Sequence, residues 1–132
     1  MPYFLDTNIC INIIRKKSPQ LLKKLVSHDI SKIAISTITL SELEYGLEKS
    51  VDPNRNKLAL IEFLALITVL PYDDQAAYMY GKIRALLEKK GNLIGPLDML
   101  IGAHALASKA TLVTNNRREF ERIPGLKVED WS

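Results

Sequence analysis

Apolar residues fall along this chain in two kinds of run, short unbroken blocks and longer stretches at helical spacing, and the two kinds alternate. Tyr3-Phe4-Leu5, Ile33-Ala34-Ile35 within Lys32–Ser36, Ile67-Thr68-Val69-Leu70 and Thr111-Leu112-Val113-Thr114 are unbroken blocks, with a shorter one at Leu126-Lys127-Val128. Unbroken, β-branched blocks of this length mark strands buried on both faces. Helical spacing predicts helices over Ile9–Ile14, from Ser18-Pro19 to about His28-Asp29, and from a Thr37 cap to about Lys49. Further helices are predicted over Leu58–Leu66, over Asp74–Lys90 and over Leu97–Ser108, with a helical turn at Arg117–Glu121. Pro19 and Pro96 suit first helical turns, Gly91 a helix stop and Pro71 a strand end. Val51 to Asn56, polar and holding Pro53, reads as a linker. Strands alternating with helices pair in parallel through right-handed crossovers. The expected fold is α/β, a three-layer α/β/α domain around a central, mainly parallel sheet of four or five strands.

Composition narrows the function classes. A chain of 132 residues, 47% hydrophobic and 25% charged, suits one globular domain over residues 1–132 and excludes a disordered segment. The single cysteine, Cys10, lies in an apolar helix pattern, so neither an internal disulfide nor a thiolate metal framework can be built. No apolar run reaches the ~20 residues of a membrane span, and the first residues carry no secretory pattern, so a cytoplasmic location is expected. The net charge is only +3, but Arg15-Lys16-Lys17, Lys23-Lys24, Lys89-Lys90 and Arg117-Arg118 form local basic groups suited to phosphates or to solvent.

The candidate chemistry is carboxylate chemistry. Asp6 ends the first apolar block at the turn into a helix, where open α/β sheets place their ligands; the same position is also that of a helix cap. On a helical wheel Glu42 falls beside Ile38 and Tyr45, away from Ser41, Glu44 and Glu48. It therefore points off the solvent face, towards a site or towards a lysine at its rim. Asp98 is the one formal charge in an otherwise apolar helix, where the helix N-terminus would stabilise it even without a site. Gly46 and Gly102 stand four residues after Glu42 and Asp98, leaving expected open space along each acid's face. Thr114-Asn115-Asn116 is an asparagine-rich turn with Glu119 one helical turn later, and His104 is given no role. Three or four acids near strand ends, without an inward base, require a divalent cation, and oxygen ligands select Mg²⁺ or Mn²⁺.

These residues resemble the PIN-domain ribonucleases, and within them the VapC-type toxins of bacterial toxin–antitoxin pairs. The resemblance runs through Phe4-Leu5-Asp6-Thr7-Asn8-Ile9, Ile35-Ser36-Thr37-Ile38-Thr39-Leu40-Ser41-Glu42-Leu43 with Tyr45-Gly46, and Ile94 to Ala105 around Asp98. It continues through Leu112-Val113-Thr114-Asn115-Asn116 with Glu119-Phe120 to Glu129-Asp130-Trp131. It implies a Mg²⁺- or Mn²⁺-dependent endoribonuclease, homodimeric, neutralised by a cognate VapB-like antitoxin, reaching operator DNA only through that antitoxin, and directed in some branches at transfer RNA. The family's first three acids map onto Asp6, Glu42 and Asp98, with Glu119 as a fourth catalytic candidate. Many members carry an aspartate where Asn116 stands; as a metal ligand Asn116 adds an oxygen but no charge, which Glu119 can offset. Thr7, Asn8 and Thr114 are candidates for holding the carboxylates by hydrogen bonds, and Arg117 and Arg118 for RNA contact.

Two other functions fit parts of the pattern. A haloacid-dehalogenase-like phosphatase also starts with an apolar strand and an Asp-x-Asp motif, but the second acid is here Asn8, and an amide is no general acid. A catalytically inactive, antitoxin-binding subunit acting on DNA would not need the trio Asp6, Glu42 and Asp98.

Overall fold

A computed structural model describes residues 2–132. Its strands are β1 (Tyr3–Leu5), β2 (Ile33–Ser36), β3 (Thr68–Leu70), β4 (Thr111–Val113) and β5 (Lys127–Glu129). The helices are α1 (Thr7–Ile14), α2 (Pro19–Val26), α3 (Thr37–Glu48), α4 (Pro53–Leu64), α5 (Asp74–Lys89), α6 (Pro96–Ala107) and α7 (Arg117–Phe120), with a 3-10 turn at Ile30–Lys32. The five strands pair in the order β3-β2-β1-β4-β5, every pair parallel. The chain thus builds outward from β1 on one side through β2 and β3, then returns to build on the other side through β4 and β5. The carboxyl ends of β1 and β4 flank the reversal, the crevice where such sheets bind ligands.

The unbroken apolar blocks of β1, β2 and β4 are explained by burial on both sheet faces, while the edge strands β3 and β5 are only half-buried. Leu5, Ile33, Ile35 and Val113 pack with Ile9 and Ile13 of α1, Leu21 and Leu25 of α2, Leu43 and Leu47 of α3, and Leu60 and Phe63 of α4. Phe4, Ala34 and Leu112 point the other way, onto Ile83 and Leu87 of α5, Met99 and Ile101 of α6, and Phe120 and Ile123 around α7. Alternate side chains of one strand therefore enter different cores, which makes the arrangement three-layered.

Two local expectations are corrected. Val51–Asn56 is not a linker: the Asp52 carboxylate accepts from the Arg55 N–H, Pro53 takes a first helical position, and α4 begins there. Ser36, rather than Thr37, caps α3, its hydroxyl accepting from the Ile38 N–H at 3.0 Å. Ser36 also meets His104 Nδ1 at 2.8 Å, in a ring environment of Phe4 and Tyr72. Burial pushes the His104 pKa down, so this histidine is a neutral tie between β2, α3 and α6 and not a site residue.

Candidate active site

Asp6 leaves β1 as the N-cap of α1, and the backbone that places it there is itself held to β4, since the Asp6 N–H donates to the Val113 carbonyl at 2.9 Å. One carboxylate oxygen accepts from the Thr7 N–H at 2.8 Å and the other from the Thr114 hydroxyl at 2.8 Å. The cap and the site are therefore one structure, because capping uses one oxygen and fixes the direction of the other. Thr114 is in turn positioned by donating its backbone N–H to the Glu129 carbonyl of β5, and its hydroxyl accepts from the Asn116 N–H.

Glu42 and Asp98 reach this crevice from α3 and α6. The Thr7 hydroxyl donates to Glu42 Oε1 at 2.7 Å, which confirms that the glutamate faces inward and places it beside Asp6 through a shared threonine rather than a lysine. Asp98 lies in the first turn of α6, which has no side-chain cap. Glu119 comes from α7; its Oε1 accepts from the Gly95 N–H at 2.9 Å and its Oε2 from the Asn116 side-chain amide. Asn116 thus commits its side-chain NH2 to Glu119, while its Oδ1 has no protein partner among the described residues. Asn8 is exposed, and so are Arg117 and Arg118; Arg117 pairs with Glu121 at 3.0 Å across solvent, a contact of little energetic weight.

The two glycines differ. A Cβ on Gly46 would meet nothing within 4 Å, so the space beside Glu42 is real. A Cβ on Gly102 would meet Ile123 Cδ1 at 2.5 Å and Phe120 Cδ1 at 3.6 Å, so the expected opening beside Asp98 is filled. Gly102 instead lets the Phe120–Ile123 segment lie against α6, which brings Glu119 to the N-terminal turn of that helix. The sequence also gives little warning of Gly95, whose N–H steadies Glu119 from 24 residues away; its one signal is its place just ahead of Pro96 at a helix start.

Electrostatics decide whether these acids form a cluster or are merely helix-end residues. A helix N-terminus alone would lower the pKa of Asp98. Instead burial first, then the negative charges of Asp6, Glu119 and Glu42, raise it from 3.8 to about 7, and a hydrogen bond shared with Glu119 adds to the rise. Burial likewise raises Asp6 against the lowering effect of its Thr114 and Thr7 hydrogen bonds. Glu119 moves the opposite way, since the Gly95 N–H and the Asn116 amide favour its charged form. Among the described residues no ion pair engages Asp6, Glu42, Asp98 or Glu119, and no three His, Cys, Asp or Glu side chains already stand in cation-binding geometry. Four oxygen-donor acids facing one crevice without a base fit a hard divalent cation.

Next to Glu42 the surface sinks into a cavity of ≈ 590 Å³, bordered by Thr7, Asn8, Tyr45, Gly46 and Lys49.

The PIN-domain family profile matches residues 3–126. The chain belongs to the PIN-domain family. Within it the relatives are VapC ribonucleases: a tRNA(fMet)-specific endonuclease VapC of Salmonella typhimurium is 48% identical over 132 residues, covering 99% of this chain and 98% of the relative. Ribonuclease VapC2 of Rickettsia felis is 43% identical, again covering 99% of this chain and 98% of its own. The crystal structure of VapBC2 from Rickettsia felis bound to a DNA fragment from its promoter contains a chain that superposes with a TM-score of 0.94 at 41% identity, each chain covered in full. This PIN domain is accordingly a VapC-type toxin endoribonuclease, and the phosphatase and inactive-subunit readings fall away.

Proposed function

We propose that this PIN domain is a Mg²⁺- or Mn²⁺-dependent endoribonuclease whose substrate is a structured RNA, transfer RNA foremost, and whose activity a cognate VapB-like antitoxin restrains. The observation that carries the proposal is the convergence of Asp6, Glu42, Asp98 and Glu119 on the crevice between β1 and β4, where burial first and the neighbouring carboxylates second raise the Asp98 pKa to about 7. Asp6, Asp98 and Glu42 would hold the cation, with Glu119 or Asn116 completing the set. When bound, the cation supplies a low-pKa water and neutralises charge developing on the phosphate and the leaving oxygen. The protein's own part is positional. Thr7 and Thr114 fix the two oxygens of Asp6, while Glu42, with Oε1 taken by Thr7, keeps a second oxygen to orient a water. Arg117 and Arg118, exposed beside the last turn of the site, draw the RNA backbone towards it.

The transfer-RNA reading is supported by the name of the Salmonella relative, and the antitoxin reading by solved VapBC complexes from Rickettsia felis and Salmonella typhimurium, both on DNA. Operator DNA would then be reached through the antitoxin, with the toxin as a homodimer in the cytoplasm. No helix among the described residues is long and apolar enough to cross a membrane.

Purified protein is expected to cut transfer RNA only with added Mg²⁺ or Mn²⁺, and chelation or Asp6→Asn to abolish cutting. Removing one repelling charge should leave metal-free Asp6→Asn as stable as the parent or slightly more so. Cleavage that survives chelation, or loss of activity matched by an equal loss of folding in the variant, would overturn the proposal.

A further inference from the structure

Beside the acids the surface holds recognition groups that the cleavage chemistry leaves unused. The cavity next to Glu42 shares Ile14, Arg15 and Asn56 with a second hollow of ≈ 390 Å³, so the two make one trough running from the site along α1 and α4. Its combined size lies in the range of small-ligand and nucleotide pockets, about 300–1,000 Å³. Among the described residues the side-chain amides of Asn8, Asn12 and Asn56, which line the inner hollow, hydrogen-bond to no protein group. Tyr45 stands one helical turn from Glu42, 66% exposed, with Lys49 Nζ 5.1 Å from its ring centroid. The empty space at Gly46 keeps the ground beside that ring clear.

Charge follows the same line. Arg15, Lys49 and Arg55 border the trough against two acids, of which Glu42 belongs to the site and Asp52 is occupied in capping α4. A large exposed aromatic ring, amides with both donor and acceptor atoms free, and flanking cations are the parts that bind unpaired nucleotides: the ring takes a base face, the amides a base edge, the cations the phosphates.

We propose that this trough is a base-binding subsite for an unpaired nucleotide of the RNA substrate next to the bond that is cut, with Tyr45 as the stacking surface and Asn8, Asn12 and Asn56 reading the base edge. The proposal rests on the ribonuclease reading above and assigns it a substrate class, an RNA cut where the strand is unpaired. Arg15 and Arg55 carry the backbone leading away from the site on the side opposite Arg117 and Arg118.

The test is fluorescence anisotropy with a labelled hairpin RNA carrying an unpaired loop, and a fully paired RNA duplex as reference, in an Asp98→Asn background that does not cut. Tyr45→Ala should weaken hairpin binding about tenfold, as loss of one stacked base does, while leaving the duplex affected little. Tyr45→Phe keeps the ring and should bind as the parent does. Because Tyr45 is exposed, both variants should melt with the parent. Arg15→Ala with Arg55→Ala should lower the salt dependence of hairpin binding. Hairpin binding unchanged in Tyr45→Ala, while the wild-type protein still cuts RNA, overturns the subsite and leaves the ribonuclease reading standing. Wild-type protein that neither cuts RNA nor prefers the hairpin overturns both. Variants that keep RNA affinity and lose antitoxin capture would assign the trough to a protein segment, and that too overturns the proposal.

Discussion

Asn116 shows how much a single side chain's meaning depends on what it touches. Read from the chain alone, an amide in a family position often held by aspartate looks like a weakened metal ligand. In the folded protein its amide donates to Glu119 Oε2, while the Gly95 N–H holds Oε1, so Asn116 aims the glutamate. Asn116→Ala would free one end of that carboxylate, and partners that orient a ligand are typically worth roughly 10–100-fold in metal affinity or activity. Direct titration with Mn²⁺, followed by its electron paramagnetic resonance signal, should show weaker binding in Asn116→Ala. Asn116→Asp separates the two roles. A ligand would gain from the added charge, whereas an aiming amide would lose its donor and set two carboxylates against each other; weaker Mn²⁺ binding is the expected result, and tighter binding would restore the ligand role.

At the level of elements, the backbone pattern was open to reading and the contacts between elements were not. Unbroken apolar blocks announced buried parallel strands, and a carboxylate at the end of β1 announced a ligand position, because both follow from residues adjacent in the chain. The start of α4 departs from the linker expected there although Asp52-Pro53 is a legible cap and first-turn pair, because the polar residues around Pro53 resemble a break. Gly102 departs from expectation for a deeper reason. Its neighbours Phe120 and Ile123 lie about a seventh of the chain away, and nothing local to α6 signals them. Gly102→Ala gains ~1 kcal/mol of helix propensity but pushes a methyl into fully packed Ile123, an overpacking cost of about 1–3 kcal/mol. The net expectation is a lower melting temperature with weaker Mn²⁺ binding, because α7 carries Glu119 away as it shifts. Adding Ile123→Val removes the clashing Cδ1 and should restore both; a double variant no better than the single one would sink the account.

For the whole molecule, the acid cluster makes stability depend on pH. The folded protein keeps a proton on Asp98 up to about pH 7, whereas the unfolded chain releases it near 3.8. Between those values the folded state binds more protons, so raising the pH through this window favours unfolding. Asp6, also raised, acts in the same sense, and Glu119, lowered, opposes it. Metal-free protein is therefore expected to melt at a lower temperature at pH 8 than at pH 5. Saturating Mg²⁺ should reverse much of the loss and Asp98→Asn should flatten the trend. A metal-free melting temperature that rises from pH 5 to pH 8 would contradict the cluster.

The order in which the chain is made matters as well. Asp6 is made 108 residues before Thr114, which fixes its outer oxygen, and the Thr114 backbone is pinned by Glu129 of the edge strand. Trp131 then closes the end of the domain by stacking on His28 with ring centroids 4.4 Å apart, while Tyr3 meets both rings edge-on. The cutting site is thus completed only once β4 and β5 have been made and can fold. Stalled nascent chains that stop before β4 should leave the RNA of a translation extract intact, while released full-length chains should not. A protein that attacks RNA would in this way be harmless to the ribosome that is making it until β4 and β5 emerge, with those two strands serving as the timer.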